Sequence, residues 1–126
     1  MILINNGANM DNYTKTNIVT NDRKQNLNKL STGRIEYELE LLQRHVLILN
    51  IIIKNEPIGI IRLSNLSGFP QHKVRYSLRI LEQEGLIKPS TEGAVTTEKF
   101  KVFIPKLNNI LTNLKKTIQD IKNSVK

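Results

Sequence analysis

Apolar side chains settle into a period at Ile35. Ile35, Leu39, Leu42, Val46, Leu49 and Ile53 follow steps of 4, 3, 4, 3 and 4, and Leu41, Ile48, Ile51 and Ile52 widen the stripe. This spacing predicts an amphipathic helix with one broad buried face. Glu36, Glu38 and Glu40 crowd its first turns, where carboxylates favour the positive end of the helix dipole. The helix is expected to end near Asn55. Pro57 disfavours helical geometry in the residue before it and cannot continue the hydrogen-bond ladder. His45, set among apolar neighbours, reads as a packed or half-exposed side chain rather than a sensor.

A shorter pattern follows. Ile60, Leu63 and Leu66 recur at steps of three over Ile60 to Ser67, enough for about two helical turns, and Gly68 breaks the run. Pro70 is pre-set for the start of a new helix from about Gln71 to Glu84, which Gly85 stops. Two helices joined by a short Gly-containing turn make a helix-turn-helix arrangement. Leu86 to Ser90 and Ala94 to Thr97 are short, partly β-branched runs around Thr91-Glu92-Gly93, which predicts a small hairpin. Pro89 confines its strand to an edge. The fold class expected is therefore mainly α with a small β-hairpin: a winged helix-turn-helix over residues 35–97.

The final segment, residues 98–126, carries Phe100, Ile104, Leu107, Leu111, Leu114, Ile118, Ile121 and Val125 at alternating steps of 4 and 3. That is the seam of a coiled coil. Lys101, Lys106, Lys115, Lys116 and Lys122 lie between those positions, so the apolar stripe is narrow and needs a partner. The expectation is a long C-terminal dimerisation helix, paired with its copy or with the first helix, and kinked or restarted near Ile104 by Pro105.

Charge refines the picture. The 126-residue chain has 19 Lys plus Arg against 11 Asp plus Glu, a formal charge of +8. Residues 1–35 hold 5 basic and 2 acidic side chains, residues 36–97 hold 7 and 7, and residues 98–126 hold 7 and 2. A nucleic-acid reading must therefore rest on local placement within a neutral core rather than on net charge. Residues 1–34 are rich in Asn, lack a sustained period and read as a flexible, basic tail. With no Cys and only His45 and His72, neither a disulfide framework nor a metal centre is expected, and no cofactor is implied. The absence of Cys fits a cytoplasmic protein. Val46 to Ile53, the longest apolar stretch, is interrupted by Asn50 and is far below the roughly 18 to 20 residues that span a bilayer, and no secretory signal is seen.

Ser67-Gly68-Phe69-Pro70, Val74, Leu78, Leu81-Glu82 and Gly85-Leu86-Ile87 together resemble the signature of winged-helix transcriptional regulators of the multiple-antibiotic-resistance and arsenic-repressor kind. The stretch from Gly59 to Ser90 is similar to small archaeal helix-turn-helix proteins. Pro70 and Tyr76 depart from residues common in those relatives, so contacts made there do not transfer. The resemblance implies a homodimer on double-stranded DNA and leaves room for a small-molecule effector, which no residue identifies. In helix-turn-helix proteins the N-terminal part of the second helix enters the major groove.

Projected at 100° per residue, Gln71 to Glu84 puts Val74, Leu78 and Leu81 on a buried arc and His72, Arg75, Tyr76, Arg79 and Gln83 opposite. Gln71, His72, Lys73, Arg75, Tyr76 and Arg79 are the expected DNA contacts. Arg can bind guanine O6 and N7 together, Gln and His reach base edges, and Tyr meets phosphate or sugar. Arg62 on the supporting helix and Lys88 at the base of the wing are secondary contacts. A winged helix serving as a protein-interaction module in a transcription or RNA-processing assembly is the alternative. Enzyme function is not expected: no Gly-rich phosphate loop, HExxH or nucleophile elbow occurs.

Overall fold

The structure is a computed structural model that describes residues 32–125. The Asn-rich leader expected over residues 1–34 lies outside the described residues up to position 31. Its last three residues belong to a helix. Four helices and one hairpin follow in the order α1 (Thr32–Asn55), α2 (Ile60–Ser67), α3 (Gln71–Gln83), β1 (Ile87–Ser90), β2 (Gly93–Thr96) and α4 (Lys99–Ser124). The protein is mainly helical with a two-stranded antiparallel sheet. Among the described residues no helix is long and apolar enough to cross a membrane. The chain divides into two compact units, residues 1–42 and 43–126, and α1 carries the boundary.

The core belongs to the second unit. Ile48, Leu49 and Ile52 from α1, Ile58, Leu63 from α2, Val74 and Leu81 from α3, and Leu86 and Ile87 from the hairpin form one buried cluster. Phe100 and Phe103 of α4 pack on its rim. Burying side chains of this size stabilises the fold by roughly 1.5–3 kcal/mol each, which offsets the entropy of ordering four short elements. The stripe expected along α1 is buried only toward its C-terminal half. Ile35 and Leu39 in the first unit are exposed.

Local chemistry sets the boundaries between elements. Gly68 adopts a left-handed conformation, φ 82°, and its N–H donates to the Ser64 carbonyl to end α2. Ser64 Oγ donates to the Phe69 carbonyl at 2.6 Å and the Phe69 N–H donates to Ser67 Oγ at 3.1 Å, so two serines fix the turn into α3. At the far end of α3, Gly85 is left-handed and the Leu86 N–H donates to the Leu81 carbonyl at 3.0 Å, the six-to-one bond of a Schellman cap. Thr97 then ties the hairpin back onto that cap, its Oγ1 donating to the Gly85 carbonyl at 2.6 Å.

The hairpin pairs Ile87 with Thr96 and Ser90 with Gly93, leaving Thr91-Glu92 as the turn. Gly93 therefore belongs to a strand, not to the turn in which the sequence pattern put it. A third strand position was not anticipated. Ile58 bridges Ala94 with two backbone hydrogen bonds, 3.2 and 2.8 Å, making β2 central and leaving Pro89 on an edge strand. The approach is so close that a Cβ on Gly93 would lie 2.5–2.7 Å from Ile58 backbone atoms. Glu56 reinforces it by accepting the Thr96 N–H at 2.7 Å.

α4 is assigned as one helix through Pro105, so of the kink or restart expected near Ile104 the restart does not occur. Proline removes one intrahelical hydrogen bond there. Phe100 and Phe103 before it are anchored on the core and Leu107 after it is buried, which holds both sides of the gap in one helix.

Candidate nucleic-acid interface

α3 is built with two faces. Val74, Ser77 and Leu81 are buried, while Gln71, His72, Lys73, Arg75 and Arg79 are exposed. Three of these are permanent cations within the first nine residues of a helix whose acidic residue, Glu82, comes later. Among the described residues none of Lys73, Arg75 or Arg79 forms an ion pair; the ion pair present, Lys101 with Glu98 at 3.2 Å, lies on α4. An internally neutralised, solvated face would have paired Arg79 with Glu82, one turn away.

α3 packs against both α2 and β1. Arg62 on α2 and Lys88 on β1 are exposed on those flanking elements. The six candidates on α3 are thus brought together by one helix. Arg62 and Lys88 are placed on its neighbours without a direct link to them. The hairpin turn carries Glu92 and no base.

Tyr76 does not stand on the open face where the helical projection placed it. It is half-buried, with its ring centroid 5.8 Å from that of His45 and with the guanidinium carbons of Arg44 and Arg79 each 5.9 Å away. The projection failed because α1 sends long polar side chains around the flank of α3. Leu78 is also only partly buried, and the centre of the buried face is taken by Ser77, fully enclosed.

Ser77 is satisfied by α1. Arg44 Nε donates to Ser77 Oγ at 3.1 Å, and Ser77 Oγ is 2.8 Å from His45 Nδ1. Arginine can only donate, so the serine hydroxyl accepts from Arg44, and between Ser77 Oγ and His45 Nδ1 the direction of the bond follows the histidine tautomer. Burial, aided by the neighbouring Arg44 charge, lowers the His45 pKa from 6.5 to about 4. His45 is therefore neutral at physiological pH. Sequence reading placed it as a packed residue but missed the network, because Arg44 and His45 are more than thirty positions from Ser77.

The seam of α4 divides. Phe100 packs on the core, Ile104 is half-buried and Leu107 is buried, so these three serve their own chain. Leu111, Leu114, Ile118, Ile121 and Val125 remain exposed, at 40% for Leu114 and 56% for Ile121.

Among the described residues no group of three or more metal-ligating side chains occurs. No protein-family model and no curated protein matches the chain.

Proposed function

We propose that the protein is a sequence-specific double-stranded DNA-binding transcriptional regulator that acts as a homodimer. In this reading α2 and α3 are the helix-turn-helix, β1 and β2 are the wing, and α3 enters the major groove. The observation that carries it is the exposure of Lys73, Arg75 and Arg79 on α3, without ion pairs among the described residues, with Arg75 and Arg79 on the side away from the buried Val74, Ser77 and Leu81 and Lys73 at its flank. Arg75, Arg79, Gln71 and His72 read base edges, and Lys73, Arg62 and Lys88 meet phosphates.

The exposed part of the α4 seam supports the second half of the proposal. Apolar groups repeating at steps of 3 and 4 from Leu111 to Val125 gain by leaving water, and a second copy supplies a matching surface. Two-fold pairing would set two α3 helices about 34 Å apart, one turn of duplex.

Random-oligonucleotide selection with the full chain tests the proposal. An enriched inverted repeat with half-sites about one turn apart is the expected result. A pool that remains unenriched after repeated rounds at low salt would refute sequence-specific binding and favour a protein-facing role for α3.

A further inference from the structure

The Tyr76 ring is held by side chains of α1. It is half-buried, its centroid lies 5.8 Å from that of His45 with the ring planes inclined at 45°, and its chain neighbour Ser77 is fully buried and bonded to Arg44 and His45. Arg44 comes within 5.9 Å of the same centroid and is tied to Ser77, so it belongs to the anchor. Arg79 stands one turn further along α3, exposed, with its guanidinium carbon 5.9 Å from the Tyr76 centroid. Residues three positions apart share one strip of helix surface, and a helical side chain leans back over the turn before it, so the guanidinium is carried toward the N-terminal half of α3. Attraction to the ring adds to that lean. Among the described residues Arg79 forms no ion pair, and neither Lys73 nor Arg75 has a ring to rest on.

We propose that Tyr76 is a positioning residue rather than a DNA contact: anchored against α1, its ring holds the Arg79 guanidinium in place to read a base edge. The inference rests on the DNA-binding reading above and assigns within it a residue that touches no base. A free arginine loses rotamer freedom when it is fixed against guanine, and one already resting on an anchored ring loses less. A phosphate contact depends mainly on charge, whereas the two hydrogen bonds of a base contact depend on the orientation of the planar fork. The ring therefore sharpens discrimination at a single base pair and leaves non-specific affinity unchanged.

Affinities for a selected site, for that site carrying each single base-pair change, and for a random-sequence duplex are measured for the parent, Tyr76→Phe, Tyr76→Leu, Arg79→Ala and the combination of the last two, with thermal unfolding recorded alongside. The position at which Arg79→Ala removes discrimination is the base pair that Arg79 reads. There Tyr76→Leu should lower discrimination by about 2- to 10-fold, with the other positions and the random duplex at parental values. Tyr76→Phe keeps the ring and should match the parent. Once Arg79 is alanine, Tyr76→Leu should cost nothing more at that position. Full discrimination retained by Tyr76→Leu overturns the proposal, as does a loss spread equally over all positions and the random duplex, which is what a loosened fold would give. A loss in Tyr76→Phe as large as in Tyr76→Leu would make the hydroxyl a direct contact and overturn it, and so would an Arg79→Ala variant that discriminates everywhere as the parent does. A parent that binds the selected site no better than random duplex overturns the DNA-binding reading and this proposal together.

Discussion

Acidification should unlock the contact between α1 and α3 through a single imidazole. His45 is half-buried and neutral, its Nδ1 lies 2.8 Å from Ser77 Oγ, and its pKa is lowered from 6.5 to about 4. Protonation is disfavoured in the folded state by the loss of hydration and by the Arg44 charge beside the ring. The unfolded chain, with its histidine near 6.5, binds the proton more readily, so stability rises with pH wherever the two states differ in protonation. The His45 contribution is complete above about pH 6.5, declines as pH falls, and is gone below about pH 4.

At about 1.4 kcal/mol per pH unit this interval corresponds to at most about 3 kcal/mol. The ring is partly open to water, and screening reduces the expected loss to about 1–2 kcal/mol. Carboxylates also titrate toward the acid end, so the readout is a difference. Urea unfolding of the parent and of His45→Gln, which keeps an acceptor for Ser77 but cannot titrate, should be compared from about pH 7 down to about pH 4. The parent should lose about 1–2 kcal/mol more than the variant across that window, with equal slopes in urea. If the two stability curves run parallel, His45 is not held neutral by the fold.

Gly93→Ala should destabilise by about 2–4 kcal/mol in urea unfolding, because Gly93 has φ 129° and a Cβ there meets the Ile58 backbone. Gly59→Ala, where nothing lies within 4 Å, is the control and should cost less than about 1 kcal/mol, the preference for glycine over alanine at the N-cap of α2. Arg75→Ala combined with Arg79→Ala should remove discrimination between a selected site and random duplex, at about 1–3 kcal/mol for each well-made base contact, while thermal stability changes little; retained discrimination would show that these side chains do not read bases. Leu114→Glu with Ile118→Glu, both exposed within one chain, should convert the proposed dimer into a monomer in sedimentation equilibrium without unfolding it; a parent that is itself monomeric, or a variant of unchanged mass, would refute pairing through this face.

The backbone plan was legible in the sequence because its signals are local. Ile60–Ser67 is the span that the period of three and Gly68 imply, and α3 ends at Gln83, one residue short of the expected Glu84. Gly68, Gly85 and Pro70 act through φ alone, and φ is a property of the residue itself. The same reading misjudged how much of an apolar stripe would be covered. Ile35 and Leu111 obey their periods as faithfully as Ile48 and Leu107, yet the first two are exposed and the last two buried.

The amino-acid order by itself determined where helices and hairpin form and which face of each is apolar. It also placed Arg75 and Arg79 of α3 opposite that face. Tertiary structure decided what covers each face: Ile58 as the neighbour of β2, Ser77 as the centre of the buried side of α3, and Arg44 beside Tyr76. The reason is range. Periodicity and turn chemistry depend on residues a few positions apart, whereas a serine made tolerable in a core by an arginine and a histidine depends on partners 33 and 32 positions away, which only the folded chain brings within 3.1 Å.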